Sequence, residues 1–171
     1  MAGHIKNDAV SGRGINDAPQ RPEIISKWVV RSSTSEIDDT TNVYISLESN
    51  EPIVGRYGKS GPMTIFIQCR ENTTMLYVHF NGHFMSDYRN GTITYRLDDR
   101  PAQNKAMQES NDNSALGLWK GGSSIPFIKQ LFGHDTLLIR ATPHSESSIT
   151  GKFSIGGLKE KIEPLRKSCN W

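Results

Sequence analysis

No apolar stretch in this sequence approaches the roughly twenty residues that a membrane-spanning helix needs. The longest, residues 63–67 and 136–141, are strand-sized, which excludes a helical membrane protein. Charge of one sign is missing as well: 20 Lys and Arg face 18 Asp and Glu, for a net charge of +2. That balance argues against nucleic acid or an anionic membrane as the main partner. The opening stretch from Met1 to Asp8 has no basic segment followed by an apolar one, so it does not read as a secretory signal. The sequence contains no GxSxG, no Walker loop and no GxGxxG between a strand and a helix. The expectation is a protein that is not an enzyme and uses no cofactor. Tryptophan is scarce, and Trp28, Trp119 and Trp171 are scattered, so no row of aromatics for a carbohydrate-binding module is visible.

What is present is one domain's worth of chain, 171 residues, with 15 glycines and 8 prolines that favour turns over long helices. Residues 1–26 form a first unit, punctuated by Gly3, Gly12, Gly14, Pro19 and Pro22. Its charges cancel, and its few apolar residues, Ile5, Val10 and Ile15, have no useful period. Such a segment cannot offset its ordering entropy alone. It reads either as a loose tail or as an extended arm whose Ile5, Val10 and Ile15 fill pockets on neighbouring subunits. The second reading is adopted as the expectation.

From Lys27 onward the pattern is short apolar runs separated by turn signals. Val43, Ile45 and Leu47 alternate with polar or aromatic neighbours, as do Met63, Ile65 and Ile67 up to Cys69. Glu71-Asn72-Thr73 reads as a hairpin connection into a partner strand at 75–80. Asn90-Gly91 suits a type I′ turn joining 87–89 to 92–97. Further strands are expected at 28–31, 116–119, 136–141 and 149–155. Pro52, Gly55, Gly58, Gly61 and Pro62 mark a long turn region. Two helices are expected: 124–132, with Ser124 as N-cap and Gly133 as stop, and 158–167, which Pro164 cuts or bends. The fold predicted is mainly β, an antiparallel sandwich of about eight strands over residues 27–171 with two short helices and an extended N-terminal arm.

Candidate chemistry is thin. His79 and His83 have an HxxxH spacing, but the setting is a hairpin with a glycine, and Phe80 stands where a zinc signature needs glutamate. The pairs Asp38-Asp39 and Asp98-Asp99 offer oxygens, yet adjacent strand residues point to opposite faces, so turn hydrogen bonds explain them as well. Asn72 and Asn90 begin glycosylation-type triplets of the kind that arise by chance at turns. Cys69 and Cys169 could close a large loop, worth about 4–5 kcal/mol in the chain-entropy account, or remain two buried thiols. The residues alone leave both open.

Several segments, in order, carry a family resemblance: Lys27-Trp28-Val29-Val30, Asp38-Asp39, Ile67-Gln68-Cys69 with Asn72-Thr73-Thr74, and Tyr95-Arg96-Leu97-Asp98. Ser110 to Asn113, Pro126 to Leu131, Phe153 to Leu158 and the closing Cys169-Asn170-Trp171 continue it. Together they resemble the VasI/TagO-like accessory proteins of type VI secretion systems over about residues 27–171. The resemblance implies a non-catalytic protein, so no active-site residues carry over, and it implies that Cys69 and Cys169 form a disulfide. Members of that family are usually exported, whereas no leader is visible here. The leading expectation is therefore a structural or decoration module, capsid-associated or in the tail, of a phage virion, which leaves the cell by lysis and oxidises afterwards, or of a related contractile injection machine. Its partners would be other structural subunits of the same particle or machine, repeated in an assembly, with no nucleic acid and no membrane. The alternatives are a periplasmic type VI secretion accessory protein and a carbohydrate-binding β-sandwich module.

Overall fold

A computed structural model describes residues 25–86 and 91–171. Ile5, Val10 and Ile15 of the expected arm lie outside that range, as do residues 87–90.

Twelve strands and three helices make up the described chain. The larger sheet has six strands in the order β1 (Val29–Thr34), β2 (Thr41–Glu48), β5 (Thr64–Arg70), β6 (Thr73–His79), β10 (Ala115–Leu118) and β9 (Gln108–Glu109). The smaller has four, β12 (Ile149–Ser154), β11 (Thr136–Ala141), β7 (Thr92–Leu97) and β8 (Gln103–Ala106), and every pairing is antiparallel. The two-residue strands β3 (Ile53–Val54) and β4 (Ser60–Gly61) form a separate hairpin.

Alternation decides which face is buried. Val43, Ile45 and Leu47 pair in register with Cys69, Ile67 and Ile65, and those with Thr74, Leu76 and Val78, so three strands present one continuous apolar face. It merges in one core with Ile93, Tyr95, Leu97, Leu137, Ile139 and Phe153 of the smaller sheet. The sheets approach closely at Gly151, where a Cβ would stand 2.7 Å from the Met63 sulfur. The mainly β architecture expected from the sequence is the one observed.

Several details differ. The first helix, α1, runs Gly121–Leu131, with Lys120 rather than Ser124 at the N-cap. Ser124 is fully buried, and its hydroxyl donates to Thr74 O at 2.7 Å, pinning α1 to β6. Gly121-Gly122 reads locally as loop, but the docking of Phe127, Ile128 and Leu131 extends the helix over it. The second expected helix is two: α2 (Leu158–Lys161) and α3 (Glu163–Cys169), because Pro164 lies in the first turn of a new helix, where its missing N–H costs nothing. β7 pairs with β8 on one side and β11 on the other, while the expected partner strand at 87–89 and Asn90 of its turn lie outside the described residues. No described helix is long and apolar enough to cross a membrane.

The chain's last residues close one end of the sandwich. Cys169 is bonded to Cys69 with Cα atoms 5.8 Å apart. The Ser168 hydroxyl donates to Thr41 O, and Trp171 Nε1 donates to Thr74 Oγ1 at 2.9 Å. The Arg166 guanidinium and Lys129 ammonium sit 5.2 and 5.7 Å from the Trp171 ring centre.

Candidate interaction surface

At the other end of β5 stands the β3–β4 hairpin, with Gly55-Arg56-Tyr57-Gly58-Lys59 as its tip. Gly55 N donates to Lys59 O and Gly58 N to Gly55 O, both at 2.9 Å. Gly58 takes φ +78°, which a glycine adopts without strain. Two strands of two residues are too short to hold themselves. Asn81 supplies the missing support: its Nδ2 donates to Ile53 O and Lys59 O, each at 3.0 Å.

A second brace comes from His83, only 5% exposed. Its Nε2 lies 2.7 Å from Val54 O and its Nδ1 2.6 Å from Glu146 Oε2. A carbonyl oxygen only accepts, so Nε2 is the donor to Val54 O. The 142–148 loop is thereby tied to the hairpin, and His144 N adds a bond to Phe84 O at 2.9 Å.

On this braced base sit side chains with no core to enter. Tyr57 is 89% exposed, Val54 62% and Phe84 38%, three of the six exposed large hydrophobics among the described residues. The Arg56 guanidinium lies 5.9 Å from the Tyr57 ring centre and 6.0 Å from that of Phe84. Its Nε is 3.8 Å from Glu146 Oε1. The His144 ring meets Phe84 edge-on at 6.3 Å. Arginine and tyrosine on a rigid base are the residues that dominate protein–protein contacts.

His83, His134 and the carboxylates of Asp38 and Asp98 make contacts within the fold. His79 ends β6 while His83 turns inward to Glu146, so the two share no ligand position. Among the described residues no group of three His, Cys, Asp or Glu is arranged to hold a metal ion. Asp38 accepts from Thr40 Oγ1 and N, and hydrogen bonds from Ser35 and Thr40 hold its carboxyl below the usual range. Asp98 accepts from His134 Nδ1 at 2.8 Å and from the N–H groups of Asp135 and Thr136.

An aromatic row absent from the sequence reading does exist. Phe66 and Tyr77 stack at 5.0 Å, and Tyr77 and Trp119 at 5.3 Å, across the outer face of the larger sheet. Counting tryptophans missed it, although a turn at Glu71-Asn72 already sets Phe66 opposite Tyr77. Burial, with Tyr44 beside it, pushes the Tyr77 hydroxyl up despite the hydrogen bond from Gln68. These rings stand face against face, so they spend on one another the surfaces that a sugar would need.

No curated protein matches the chain. The crystal structure of invasion associated protein B from Bartonella henselae is similar, with a TM-score of 0.50 at 7% identity, covering 85% of this chain and 96% of that one. At that identity the likeness shows the fold alone. A family model described as type VI secretion system VasI, EvfG matches residues 16–171. That match favours the secretion accessory among the sequence-based readings, and nothing in it supports the virion component that led them. The chain belongs to the VasI family of type VI secretion system proteins.

Proposed function

We propose that this protein is a non-enzymatic accessory of a type VI secretion system that works in the periplasm by docking other components of the machine. The family match over residues 16–171 carries the reading. The Cys69–Cys169 bond supports an oxidising compartment, since such bonds are kept reduced in most cytoplasms. The rigid tip with Arg56 and Tyr57 supports action by contact rather than by chemistry. Whether copies of the chain repeat in the assembly, as expected for the arm carrying Ile5, Val10 and Ile15, belongs to the same proposal.

The test is genetic and biochemical together. Deleting the gene should lower secretion of the system's substrates, and supplying the wild-type protein should restore it. Cell fractionation should find the protein with periplasmic markers. Unchanged secretion in the deletion strain overturns the accessory role, and a cytoplasmic, reduced protein overturns the location.

A further inference from the structure

We infer that the β3–β4 tip docks on an acidic segment of a partner protein: a carboxylate enters between Arg56 and Lys59 while an adjacent apolar side chain packs on Tyr57, Val54 and Phe84. This rests on the reading of the protein as a docking accessory and adds the chemistry of what it docks.

Charge accounting comes first. The tip places Arg56 and Lys59 within four residues, and Lys59 makes no ion pair among the described residues. The carboxylate paired with Arg56, Glu146, is committed to His83 at 2.6 Å and approaches Arg56 at Nε, 3.8 Å away. The terminal guanidinium nitrogens of Arg56 make no hydrogen bond among the described residues. They are the pair that grips a carboxylate in two parallel bonds. The tip is therefore positive and wants an anion.

Preorganisation comes second. The guanidinium is placed near two rings at 5.9 and 6.0 Å, so less freedom is lost when it binds. The hairpin beneath is fixed by Asn81 and by the His83 bridge to Val54 O. Tyr57 is 89% exposed on this base, and beyond its approach to the Arg56 guanidinium its ring offers apolar area beside the cation. Apolar rings beside an arginine suit a protein segment better than a phosphate backbone, which asks for several cations in a row.

The probes are the purified soluble parts of each subunit of the same secretion system, tested for binding to the full chain by biolayer interferometry at low and high salt. At least one should bind, more weakly as salt rises. Arg56→Glu and Tyr57→Ala should each weaken it tenfold or more, with melting temperatures unchanged. An Asp or Glu to Arg exchange in that subunit should restore binding to Arg56→Glu. If Tyr57→Ala weakens binding and Arg56→Glu does not, the docking role stands and the acidic partner is wrong. If neither variant changes binding, the tip is not the docking surface. Binding to none of the subunits, or tip-dependent binding to duplex DNA or anionic vesicles instead, overturns the inference.

Discussion

The Asn81 amide occupies the space where a side chain on Gly61 would begin: a Cβ there would lie 2.6 Å from Asn81 Oδ1. A residue 20 positions downstream thus sits against the β3–β4 hairpin and shapes the tip from beneath. Asn81→Ala removes two hydrogen bonds and should lower stability by about 1–2 kcal/mol. It should also weaken docking while Arg56 and Tyr57 remain intact. Hydrogen exchange at the amides of Gly55 and Gly58 should accelerate, and binding should fall in parallel.

The Cys69–Cys169 bond closes a loop with a sequence separation of 100. In the chain-entropy account a loop of that length contributes about 4–5 kcal/mol. The Cys69→Ala, Cys169→Ala double variant, or the reduced wild type, should melt roughly 10 °C lower. Calorimetry with and without reductant reads this directly, and the double variant should show no further response to reductant.

Gly117 is a site where one methyl group should be felt. A Cβ there would lie 2.7 Å from the Trp119 indole and 2.8 Å from Tyr77 Cβ. Gly117→Ala should cost about 1–3 kcal/mol by overpacking. It should also shift Trp119 emission, because the stack with Tyr77 and the Nε1 bond to Gln108 O must both move.

Acid stability should depend on Asp98. The hydrogen bond from His134 is the largest cause holding its carboxyl below the usual range; desolvation pushes upward, and the Thr136 and Asp135 N–H groups add to the lowering. The unfolded chain therefore takes up this proton first as pH falls. The contribution is complete above the ordinary carboxylate pKa of about 4 and is lost as pH drops through the lower folded value. Asp98→Asn should be less stable than wild type at neutral pH, and the gap should narrow below about pH 4. Urea melts across that range check the sign.

The two long faces were legible because period-two alternation survives in Val43-Ile45-Leu47 and in Ile65-Ile67-Cys69, where one side of the sheet is buried. β8 was not, since Gln103–Ala106 is a polar edge strand with no buried position to impose a pattern. Ser124 was misread as a cap because its partner, Thr74 O, is 50 residues away. The tip fell inside a glycine-rich turn region, and nothing local marks it as rigid. Its supports are Asn81, 22 residues from Lys59, and Glu146, 63 residues from His83. Sequence patterns report burial well and long-range polar bracing poorly.

The covalent ring also has a mechanical meaning. When the chain is pulled from both sides, tension entering ahead of β1 passes through β2 and most of β5 and then crosses the sulfurs to Cys169. The span between the two cysteines drops out of the load path, which removes about 340 Å of extendable contour. The tip at residues 55–59 lies ahead of Cys69 and remains in that path. A hard tug would therefore load β1 and β2 and then the tip, all ahead of the crosslink, while β6, β7, β10, β11 and most of the helical residues lie behind it.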